Sequence, residues 1–393
     1  MATRKKNSPP PSAAAAAPII GLQAAKAPES PVASSPAADA GLADLYDYER
    51  AAGERLPAMA WDYLRGGAAD ELTLRANREA YDRLRLLPRV LVDVSRLDTR
   101  VTLLGRELPF PVLLAPAAYQ RLLHPDGELA VARGAAAARV PLVASCFAST
   151  TIEETAAVAA SPLWFQLYIN PDRGFTQELV RRVEAAGCAA IVLTVDSPTL
   201  GPRYRELRNK FNLPPGIERA NLRGLATATG GQRPTENEIY SATLDPKLTW
   251  RDVEWLRART KLPVLLKGIL HPDDAARAIE VGAAGVIVSN HGGRNLDTLP
   301  ATIEALPRIA ARIAGRAPVL VDGGIRRGTD ILKALALGAN AVLIGRPYLW
   351  GLAVSGAAGV TRVVNILRRE FEMALALTGR PSIAAIDDTV IWR

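Results

Sequence analysis

The chain has 393 residues, is 49% hydrophobic and carries a net charge of +8, so it is long enough for one large core or two smaller ones. Its Lys and Arg residues are interspersed with Asp and Glu instead of forming a long basic run, which argues against a nucleic-acid-binding groove. No stretch has the ~20 consecutive apolar residues of a membrane helix, and the two cysteines, Cys146 and Cys188, fit reduced, buried side chains, so we expect a cytoplasmic protein that contacts neither membrane nor nucleic acid.

The first part of the chain differs in composition from the remainder. Residues 1–40 consist mainly of Ala, Pro and Ser, and such a segment buries too little apolar surface to offset the entropy of ordering the chain. A linker and a targeting segment both fit this composition. We therefore predict a disordered tail over residues 1–40 and one folded domain over residues 41–393.

The folded domain begins with helical patterns. Apolar residues at helical spacing predict helices over Leu42–Ala52 and Met59–Leu64. A third helix is predicted to start at an N-cap residue, either Asp70 or Thr73, and to continue through Ala80. The domain is therefore expected to carry N-terminal helices ahead of its first strand.

Eight short apolar runs follow these helices, and each has the length and composition of a buried strand. The runs are Pro111–Pro116, Pro141–Ser145, Trp164–Tyr168, Ala190–Asp196, Pro263–Lys267, Val286–Asn290, Val319–Asp322 and Ala341–Gly345. Amphipathic segments separate most of them, among them Gly127–Val140, Arg173–Gly187, Asp273–Gly282 and Thr329–Gly338. This alternation predicts an α/β fold with a parallel sheet, and eight units predict a closed (β/α)8 barrel.

Two segments complete the predicted barrel. The long stretch Thr199–Thr249 after the fourth strand interrupts the alternation, and its Gly, Pro, Asn and Thr content predicts a mobile loop over the barrel mouth. The last helical segment, Leu352–Thr378, follows the eighth strand and is expected to close the ring of helices.

Polar residues stand at the carboxyl end of nearly every predicted strand. Any one of them could be a strand cap, but in a barrel of this kind the carboxyl ends meet at one mouth, where catalytic groups lie. So many polar ends at one mouth are hard to explain by packing, which favours a functional site. The residues at or just beyond the strand ends are Ser145, Gln166, Tyr168, Thr194, Asp196, Arg203, Lys267, His291, Arg294 and Asp322.

The turns after the last two strands fit a phosphate group. The turn Gly323–Gly328 after the seventh strand opens a helix and offers backbone N–H groups at a positive helix end. Gly345 and Arg346 follow the eighth strand, and the guanidinium matches phosphate oxygens. Barrels often bind phosphate at these two strand ends. We therefore predict a phosphorylated cofactor or substrate.

The sixth strand ends in a turn that carries an imidazole and a guanidinium three residues apart, His291 and Arg294. A base beside a fixed cation suits proton removal from an anionic substrate, although a capping His and a surface Arg would give the same local pattern. Asp196 could face His291 across the mouth and stabilise the imidazolium. Lys267 fits a Schiff-base nucleophile, a fixed cation beside a group that gains negative charge, or a structural ion pair.

Other chemistry-bearing residues fit structural roles. His124 and His271 each precede Pro-Asp at a predicted helix start, and we interpret both as structural. No cluster of His or Cys has metal-ligand spacing, and no Ser stands in a nucleophile elbow. We therefore predict no metal site and no serine-nucleophile chemistry.

Together these motifs resemble those of the FMN-dependent 2-hydroxy-acid oxidases and dehydrogenases, which include glycolate oxidase, lactate oxidase and mandelate dehydrogenase. The resemblance runs from about Leu42 to the C-terminus, and the motifs follow one another in the same order. The matching segments are Ser289–Asp297 (SNHGGRNLD), Asp322–Asp330 (DGGIRRGTD), Ala334–Gly338 (ALALG), Gly345–Pro347 (GRP), Phe165–Tyr168 (FQLY) and Leu193–Asp196 (LTVD).

The resemblance implies that FMN lies across the barrel mouth. Its phosphate would lie at Gly323, Gly324, Gly345 and Arg346, and Lys267 would stand at the N1–O2 edge of the flavin. The remaining residues that the resemblance assigns to the cofactor are Pro116, Ala117, Ala118, Ser145, Gln166, Thr194, Ser289, Asp322 and Arg326.

The resemblance also assigns the substrate contacts. Arg294 and Tyr63 would hold the substrate carboxylate with Arg203 close by, Tyr168 would hydrogen-bond the hydroxyl, and Phe147 would line the pocket. His291 would be the general base and Asp196 its electrostatic partner. The expected reaction is oxidation of an (S)-2-hydroxy acid to the 2-oxo acid. Because no side chain accepts two electrons, the residue chemistry independently requires a cofactor.

Some positions depart from the family pattern. Phe147 stands where glycolate oxidase has Trp, Tyr119 where smaller or flexible residues are common, and Gly293 where Ala is more usual. Pro202 precedes Arg203 and could re-aim it. The substrate's chain length is therefore left undetermined, because both Phe147 and Tyr119 affect the pocket wall.

Three alternatives remain open at this point. Ala118 beside flavin N5 and the absence of a strongly apolar docking run favour a soluble oxidase that uses O2 and forms hydrogen peroxide. A dehydrogenase with a quinone or cytochrome acceptor, or an FMN barrel acting as an isomerase or synthase, would keep the phosphate turns. A non-enzymatic anion-binding protein is disfavoured by the scattered charge. The resemblance implies a homo-oligomer, often a tetramer.

Overall fold

The computed structural model describes residues 1–2, 41–225 and 239–392. All but the first two residues of the predicted disordered tail, 1–40, lie outside this range. The same holds for residues 226–238 of the predicted loop over the mouth. The tail and its boundary with the folded domain therefore stay predictions.

A closed barrel of eight parallel strands forms the centre of the protein, which confirms the predicted (β/α)8 fold and all eight predicted strands. The barrel closes where its first and last strands pair, with Val342 beside Val112. Two short antiparallel pairs of strands accompany it. In chain order the strands are β1 Arg85–Leu86, β2 Val101–Leu103, β3 Arg106–Leu108, β4 Val112–Leu114, β5 Leu142–Ser145, β6 Leu163–Leu167, β7 Ile191–Thr194, β8 Val264–Ile269, β9 Gly285–Val288, β10 Val319–Val321, β11 Ala341–Ile344 and β12 Ile391–Trp392.

Helices surround the barrel, and the segments predicted from helical spacing are helical within a few residues at each end. In chain order the helices are α1 Leu45–Arg55, α2 Ala58–Arg65, α3 Leu72–Arg83, α4 Gly127–Ala138, α5 Ile152–Val158, α6 Arg173–Ala185, α7 Tyr204–Arg208, α8 Trp250–Arg257, α9 Pro272–Glu280, α10 Thr302–Ile313, α11 Gly328–Ala336 and α12 Arg346–Leu377. His271 caps α9, because its Nδ1 accepts a hydrogen bond from Asp273 N, as its structural interpretation predicted.

The strands divide the core into an inner and an outer cluster. Successive side chains of a strand point to opposite faces of the sheet, so one set faces the barrel axis and the other faces the helices. Leu113, Val143 and Trp164 belong to the inner cluster, together with Leu103 and Leu108 of the β2–β3 hairpin. The hairpin therefore adds apolar side chains to the barrel interior.

Helix α12 is long and apolar enough to cross a membrane, the only such helix among the described residues. Its apolar face is used inside the protein, since 61% of its most apolar window is buried and the helix packs against α1, α4 and α11. The helix also breaks at Ser355 and Gly356, so it consists of two shorter segments. We interpret α12 as a core helix of the barrel.

The start of α3 corrects one expectation from the sequence. Neither Asp70 nor Thr73 caps this helix with its side chain; instead, the carboxylate of Asp297 accepts backbone hydrogen bonds from Asp70, Leu72 and Thr73 at 3.1, 3.1 and 2.7 Å. The N-terminal N–H groups of a helix need such an acceptor, and a distant carboxylate satisfies the need as well as a local one. Asp297 thereby ties α3 to the segment that follows β9.

We expect the variant Asp297→Ala to lose about 1–3 kcal/mol of stability, because it leaves three backbone N–H groups without their acceptor. Urea unfolding followed by circular dichroism, with excess flavin present, measures the loss. Asp93→Ala is the matched control, because Asp93 accepts only a local turn bond from exposed Ser95 and its removal should leave the midpoint unchanged. Equal midpoints for the two variants would contradict the assigned role of Asp297.

Candidate active site

A cavity of about 1740 Å³, including its open mouth, lies at the carboxyl ends of the barrel strands. The strands themselves direct side chains into it. The position two residues after each inner-cluster residue also faces inward, so Val143 is followed by Ser145, Trp164 by Gln166 and Leu265 by Lys267. The barrel interior is thus apolar at one end and polar at the other.

His291 and Asp196 form a partly buried pair at this polar end. The Nδ1 atom of His291 lies 2.9 Å from Oδ1 of Asp196. Ser197 Oγ donates to the same Asp196 oxygen at 3.0 Å, and Asn295 Nδ2 donates to the Asp196 carbonyl at 2.9 Å. With Nδ1 held by the carboxylate, the imidazole presents Nε2 as the nitrogen that can accept a proton.

The backbone of β8 makes room for this pair. Gly268 has a φ of +109°, and a Cβ at that position would lie 2.5 Å from the Cβ of Asp196. A residue with a side chain would be strained by the backbone angle and would collide with Asp196. Gly268 is therefore required where β8 passes the Asp196 carboxylate.

The ionisation of the pair suits a general base. Burial lowers the pKa of His291 below its ordinary value of 6.5, and the opposing attraction of Asp196 does not restore it. Burial raises the pKa of Asp196, but the charge and hydrogen bond of His291 outweigh it, so that pKa lies below 3.8. At neutral pH His291 is neutral and Asp196 is a carboxylate, which can stabilise the imidazolium once a proton is accepted.

Two arginines share one carboxylate beside the pair. Arg203 Nη1 and Arg294 Nη2 each lie 3.5 Å from Oε1 of buried Glu206. Arg294 also donates to the carbonyls of Tyr63 and Gly66, which fixes its guanidinium. Two cations against one anion leave a net positive charge, and burial together with the charge of Arg203 lowers the pKa of Arg294. The arrangement can bind one further carboxylate.

Aromatic rings surround this cationic group. The guanidinium carbon of Arg294 lies 5.0 Å from the centre of the Tyr63 ring, which stacks on Phe211 with ring centres 4.9 Å apart. Phe147 and Tyr168 pack together with ring centres 5.0 Å apart. Burial raises the pKa of Tyr168 well above its ordinary value, so its hydroxyl stays protonated and can donate a hydrogen bond.

Lys267 belongs to a buried network with Ser289 and Asp322. Its Nζ donates to Ser289 Oγ at 2.8 Å and lies 3.0 Å from Asp322 Oδ2, which also accepts from Ser289 at 2.9 Å. Burial lowers the pKa of Lys267, but the charges of Asp322 and Asp196 outweigh it and raise that pKa. Lys267 is therefore a fixed cation, and the Schiff-base alternative, which needs a neutral amine, is disfavoured.

The last two strand ends form an anion site. Gly323 and Gly324 have φ values of +93° and +81° and line the cavity with Gly345. Arg346 donates to the carbonyls of Leu64, Gly66 and Gly292, so neutral groups hold its guanidinium. Burial and the charges of Arg294 and Arg326 lower the pKa of Arg346 to about 9. The close placement of these three partly buried arginines favours the binding of an anion.

Arg326 supplies a second cation to this anion site. It donates to the carbonyl of Ile325, and its guanidinium carbon lies 4.7 Å from the centre of the Trp350 ring. Burial lowers the pKa of Arg326 as well, although the charge of Glu49 opposes the effect. The guanidinium groups of Arg326 and Arg346 lie beside glycine turns, and together they match a phosphate that carries two negative charges.

The residues also fit the ring system of a flavin. Among the described residues, Gln166 Nε2 and Asp322 Oδ1 are buried atoms without a hydrogen-bond partner, and buried polar atoms normally have one. Gln166 lines the cavity beside Ser145, Thr194 and Lys267. A donor, hydroxyl groups and a fixed cation together match the carbonyl and nitrogen atoms of an isoalloxazine ring.

The structure brings the predicted site residues together, with two of them behind the cavity wall. Asp196 and Ser289 support the lining residues His291 and Lys267. The predicted residues that line the cavity are Tyr63, Pro116, Ala117, Ala118, Ser145, Phe147, Gln166, Tyr168, Thr194, Arg203, Lys267, His291, Arg294, Asp322, Gly323, Gly324, Arg326, Gly345 and Arg346. Their chemical roles remain predictions.

Three charged or aromatic lining residues were not predicted from the sequence, and all three lie in the segment after β7. Glu206, Phe211 and Arg219 line the cavity with the predicted set. Glu206 could have been found, because it lies one helical turn after Arg203. Phe211 and Arg219 follow no periodic pattern. In the described part of the chain no group of acidic, His and Cys residues is arranged to bind a metal ion.

Comparison with known proteins identifies close relatives. Residues 52–393 match the family model described as FMN-dependent dehydrogenase. The chain is 50% identical over 355 residues to the L-lactate oxidase of Nostoc sp., covering 88% of this chain and 97% of that protein. It is 46% identical over 353 residues to glycolate oxidase 1 of Oryza sativa subsp. japonica, covering 89% of this chain and 96% of the relative.

Solved structures give the same result. The crystal structure of a mandelate oxidase matches with a TM-score of 0.82 at 46% identity, over 89% of this chain and 98% of the other. A structure of mandelate oxidase with (S)-2-phenylpropionate matches with a TM-score of 0.81 at 45% identity, over the same shares.

We expect Arg326→Gln to weaken FMN binding about 10- to 100-fold, since a hydrogen bond to a charged group contributes about 1.5–3 kcal/mol. Fluorescence titration of the apoprotein with FMN measures the affinity. Arg327→Gln is the matched control, because the neighbouring Arg327 pairs with Asp44 and Glu370 and does not line the cavity. A normal affinity in the first variant, or an equal loss in the control, would contradict the phosphate assignment.

Proposed function

The chain belongs to the FMN-dependent dehydrogenase family, and from this premise we propose that it oxidises an (S)-2-hydroxy acid to the 2-oxo acid with O2 as electron acceptor. One observation carries the proposal. A neutral, carboxylate-held imidazole, His291, lines the same cavity as Arg203 and Arg294, whose charges exceed that of Glu206. A 2-hydroxy carboxylate presents an anion and an ionisable hydroxyl on adjacent carbons, which this arrangement complements.

Substrate binding depends on the cationic group. Arg294 and Arg203 hold the carboxylate, and the fixed hydrogen bonds from Arg294 to backbone carbonyls orient it. Tyr168 donates its hydroxyl hydrogen bond to the substrate oxygen, because its phenol stays protonated. The carbon to be oxidised is thereby directed towards the cavity wall that Lys267 and Gln166 form.

Proton transfer depends on the pair formed by His291 and Asp196. His291 accepts the hydroxyl proton at Nε2, and Asp196 stabilises the imidazolium through Nδ1. FMN, when bound, would supply the two-electron acceptor for this chemistry, and Lys267 would place a fixed positive charge beside it. In the net reaction the hydroxy acid loses two electrons and two protons, and O2 gains them as hydrogen peroxide.

The choice of O2 is supported by the relatives, which are named oxidases. A dehydrogenase with a quinone or cytochrome acceptor is the second candidate within the same chemistry. An isomerase or synthase on the same barrel would not need the group formed by His291, Arg294 and Tyr168. The presence of that group in one cavity favours hydroxy-acid oxidation.

We further propose that the protein is cytoplasmic and assembles into a homo-oligomer. Both cysteines are free and buried, in keeping with a reducing compartment. Val90 and Leu91 are exposed by 79% and 103%, beside partly exposed Leu87 and Val92. Exposed apolar residues grouped in one short segment are typical of a protein–protein contact. Light scattering during gel filtration tests the oligomer.

The visible spectrum of the purified protein tests the function directly. Under anaerobic conditions we expect (S)-lactate, glycolate or (S)-mandelate to bleach the flavin absorbance, and we expect air to restore it with formation of peroxide. Slow recovery in air would instead indicate a dehydrogenase. Bound flavin that none of these acids bleaches would contradict the proposed substrate class.

We expect His291→Ala to lower kcat about 10²- to 10⁴-fold, because general-base catalysis contributes that much. Steady-state oxygen consumption measures the change, and the flavin spectrum shows that the cofactor is retained. His271→Ala is the matched control, since its imidazole caps α9 on the surface and should leave turnover unchanged. A variant at His291 with near-native turnover would contradict the general-base assignment.

The pH profile tests the partnership with Asp196. Activity requires neutral His291, so kcat/KM should fall as pH drops through a pKa that lies below 6.5. Asp196 raises that pKa by its charge, so Asp196→Asn should move the acid limb to lower pH and also reduce the maximal rate. The reduction follows because the imidazolium loses its stabilising carboxylate. An acid limb that moves to higher pH would refute this assignment.

A further inference from the structure

Arg219 lies in the segment after β7 and lines the same cavity as the cationic group. Two tyrosine rings separate it from Arg294. The Arg294 guanidinium packs over Tyr63, the Tyr63 ring lies 6.0 Å from the Tyr119 ring, and Tyr119 accepts a hydrogen bond from Arg219 Nε at 2.7 Å. Arg219 therefore stands at a second position on the cavity wall, away from the carboxylate-binding arginines.

Three contacts fix the guanidinium of Arg219 in place. Besides its bond to Tyr119, Nη1 donates to Thr243 Oγ1 at 3.2 Å, and the guanidinium carbon lies 4.5 Å from the centre of the Phe147 ring. Tyr119 itself has a φ of +55°, a backbone conformation that is uncommon for a bulky residue. The ordered side chain thus presents its charge to the cavity at a defined position.

The charge of Arg219 is not neutralised by any carboxylate within ion-pair distance among residues 41–225 and 239–392. Its neighbour Glu218 pairs with Arg223, and Glu206 pairs with Arg203 and Arg294. Its contacts with Tyr119, Thr243 and Phe147 are all neutral. An ordered guanidinium in a substrate cavity, held only by neutral groups, is suited to bind an anion in bidentate fashion.

We infer that Arg219 binds a second carboxylate at the far end of the substrate, so that the preferred substrate is a 2-hydroxydicarboxylic acid. The inference rests on the proposed function, which places the first carboxylate at Arg294. It also gives a role to Tyr119 and Phe147, which hold Arg219. The reaction is unchanged: the hydroxyl-bearing carbon becomes a carbonyl, O2 becomes hydrogen peroxide, and the second carboxylate takes no part in bond changes.

The test compares acids of equal carbon number. (S)-Malate is compared with (S)-2-hydroxybutyrate, and (S)-2-hydroxyglutarate with (S)-2-hydroxypentanoate, by kcat and KM of the holoenzyme. We expect the better of the two diacids to exceed the monocarboxylic acid of equal carbon number about 10- to 100-fold in kcat/KM, from hydrogen bonds to a charged group. Arg219→Leu should remove this preference by raising KM for the diacid, with kcat nearly unchanged.

Two further variants separate binding from folding. Arg219→Lys should retain part of the preference, because it keeps the charge without the bidentate geometry. Arg223→Leu is the control from the same segment, because Arg223 is exposed and pairs with Glu218, so its substrate preference should equal that of the wild type. Bound flavin and normal KM values for the monocarboxylic acids show that each variant is folded.

The outcomes distinguish a failure of the inference about Arg219 from a failure of the proposed function. If the monocarboxylic acids are oxidised at least as well as the diacids, or Arg219→Leu leaves the ratio unchanged, the inference is wrong and the proposed function stands. If none of the four acids, nor lactate, glycolate or mandelate, bleaches the bound flavin, the proposed function falls and the inference with it.

Discussion

The alternation of side chains along the barrel strands is the constraint on which the site depends. Each strand turns every second residue inward, and the inner set changes from apolar to polar within two positions. A shift of one residue in β6 or β8 would replace the inward-facing Gln166 or Lys267 by a neighbour without a polar side chain. Parallel pairing all around the barrel fixes this register, so the interactions that close the fold also direct the polar groups to one mouth.

The excess of partly buried cations at that mouth is the second organising property. Arg294, Arg326 and Arg346 are held largely by neutral carbonyl groups, and burial lowers the pKa of each. Anionic ligands relieve this electrostatic cost, so the binding of a flavin phosphate or a substrate carboxylate is expected to stabilise the folded protein. Lys267 differs from the three arginines, because Asp322 compensates its charge before any ligand binds.

Most of the fold and much of the candidate site followed from local sequence patterns. Apolar runs that end in polar residues are visible without a structure, and His291, Lys267 and Asp322 all stand at such ends. The cap of α3 was wrongly predicted, because its acceptor, Asp297, lies more than 200 residues away in the sequence. Phe211 and Arg219 were missed for a related reason, since their segment has no periodicity that indicates which side chains reach the cavity.

The residues that could be predicted and those that were missed have different proposed roles. The first group is proposed to carry out the chemistry, and the second to determine the choice of substrate. The groups proposed to move protons and to hold the cofactor lie on or directly after strands, where the barrel register restricts change. Arg219 and Phe211 lie on a connecting segment, which can change without disturbing that register. Relatives named for lactate, glycolate and mandelate share 45–50% identity with this chain over most of its length, so their different substrates require a variable part of a common site. The segment after β7 supplies such a part, and in this chain it places a fixed cation where a longer substrate would end.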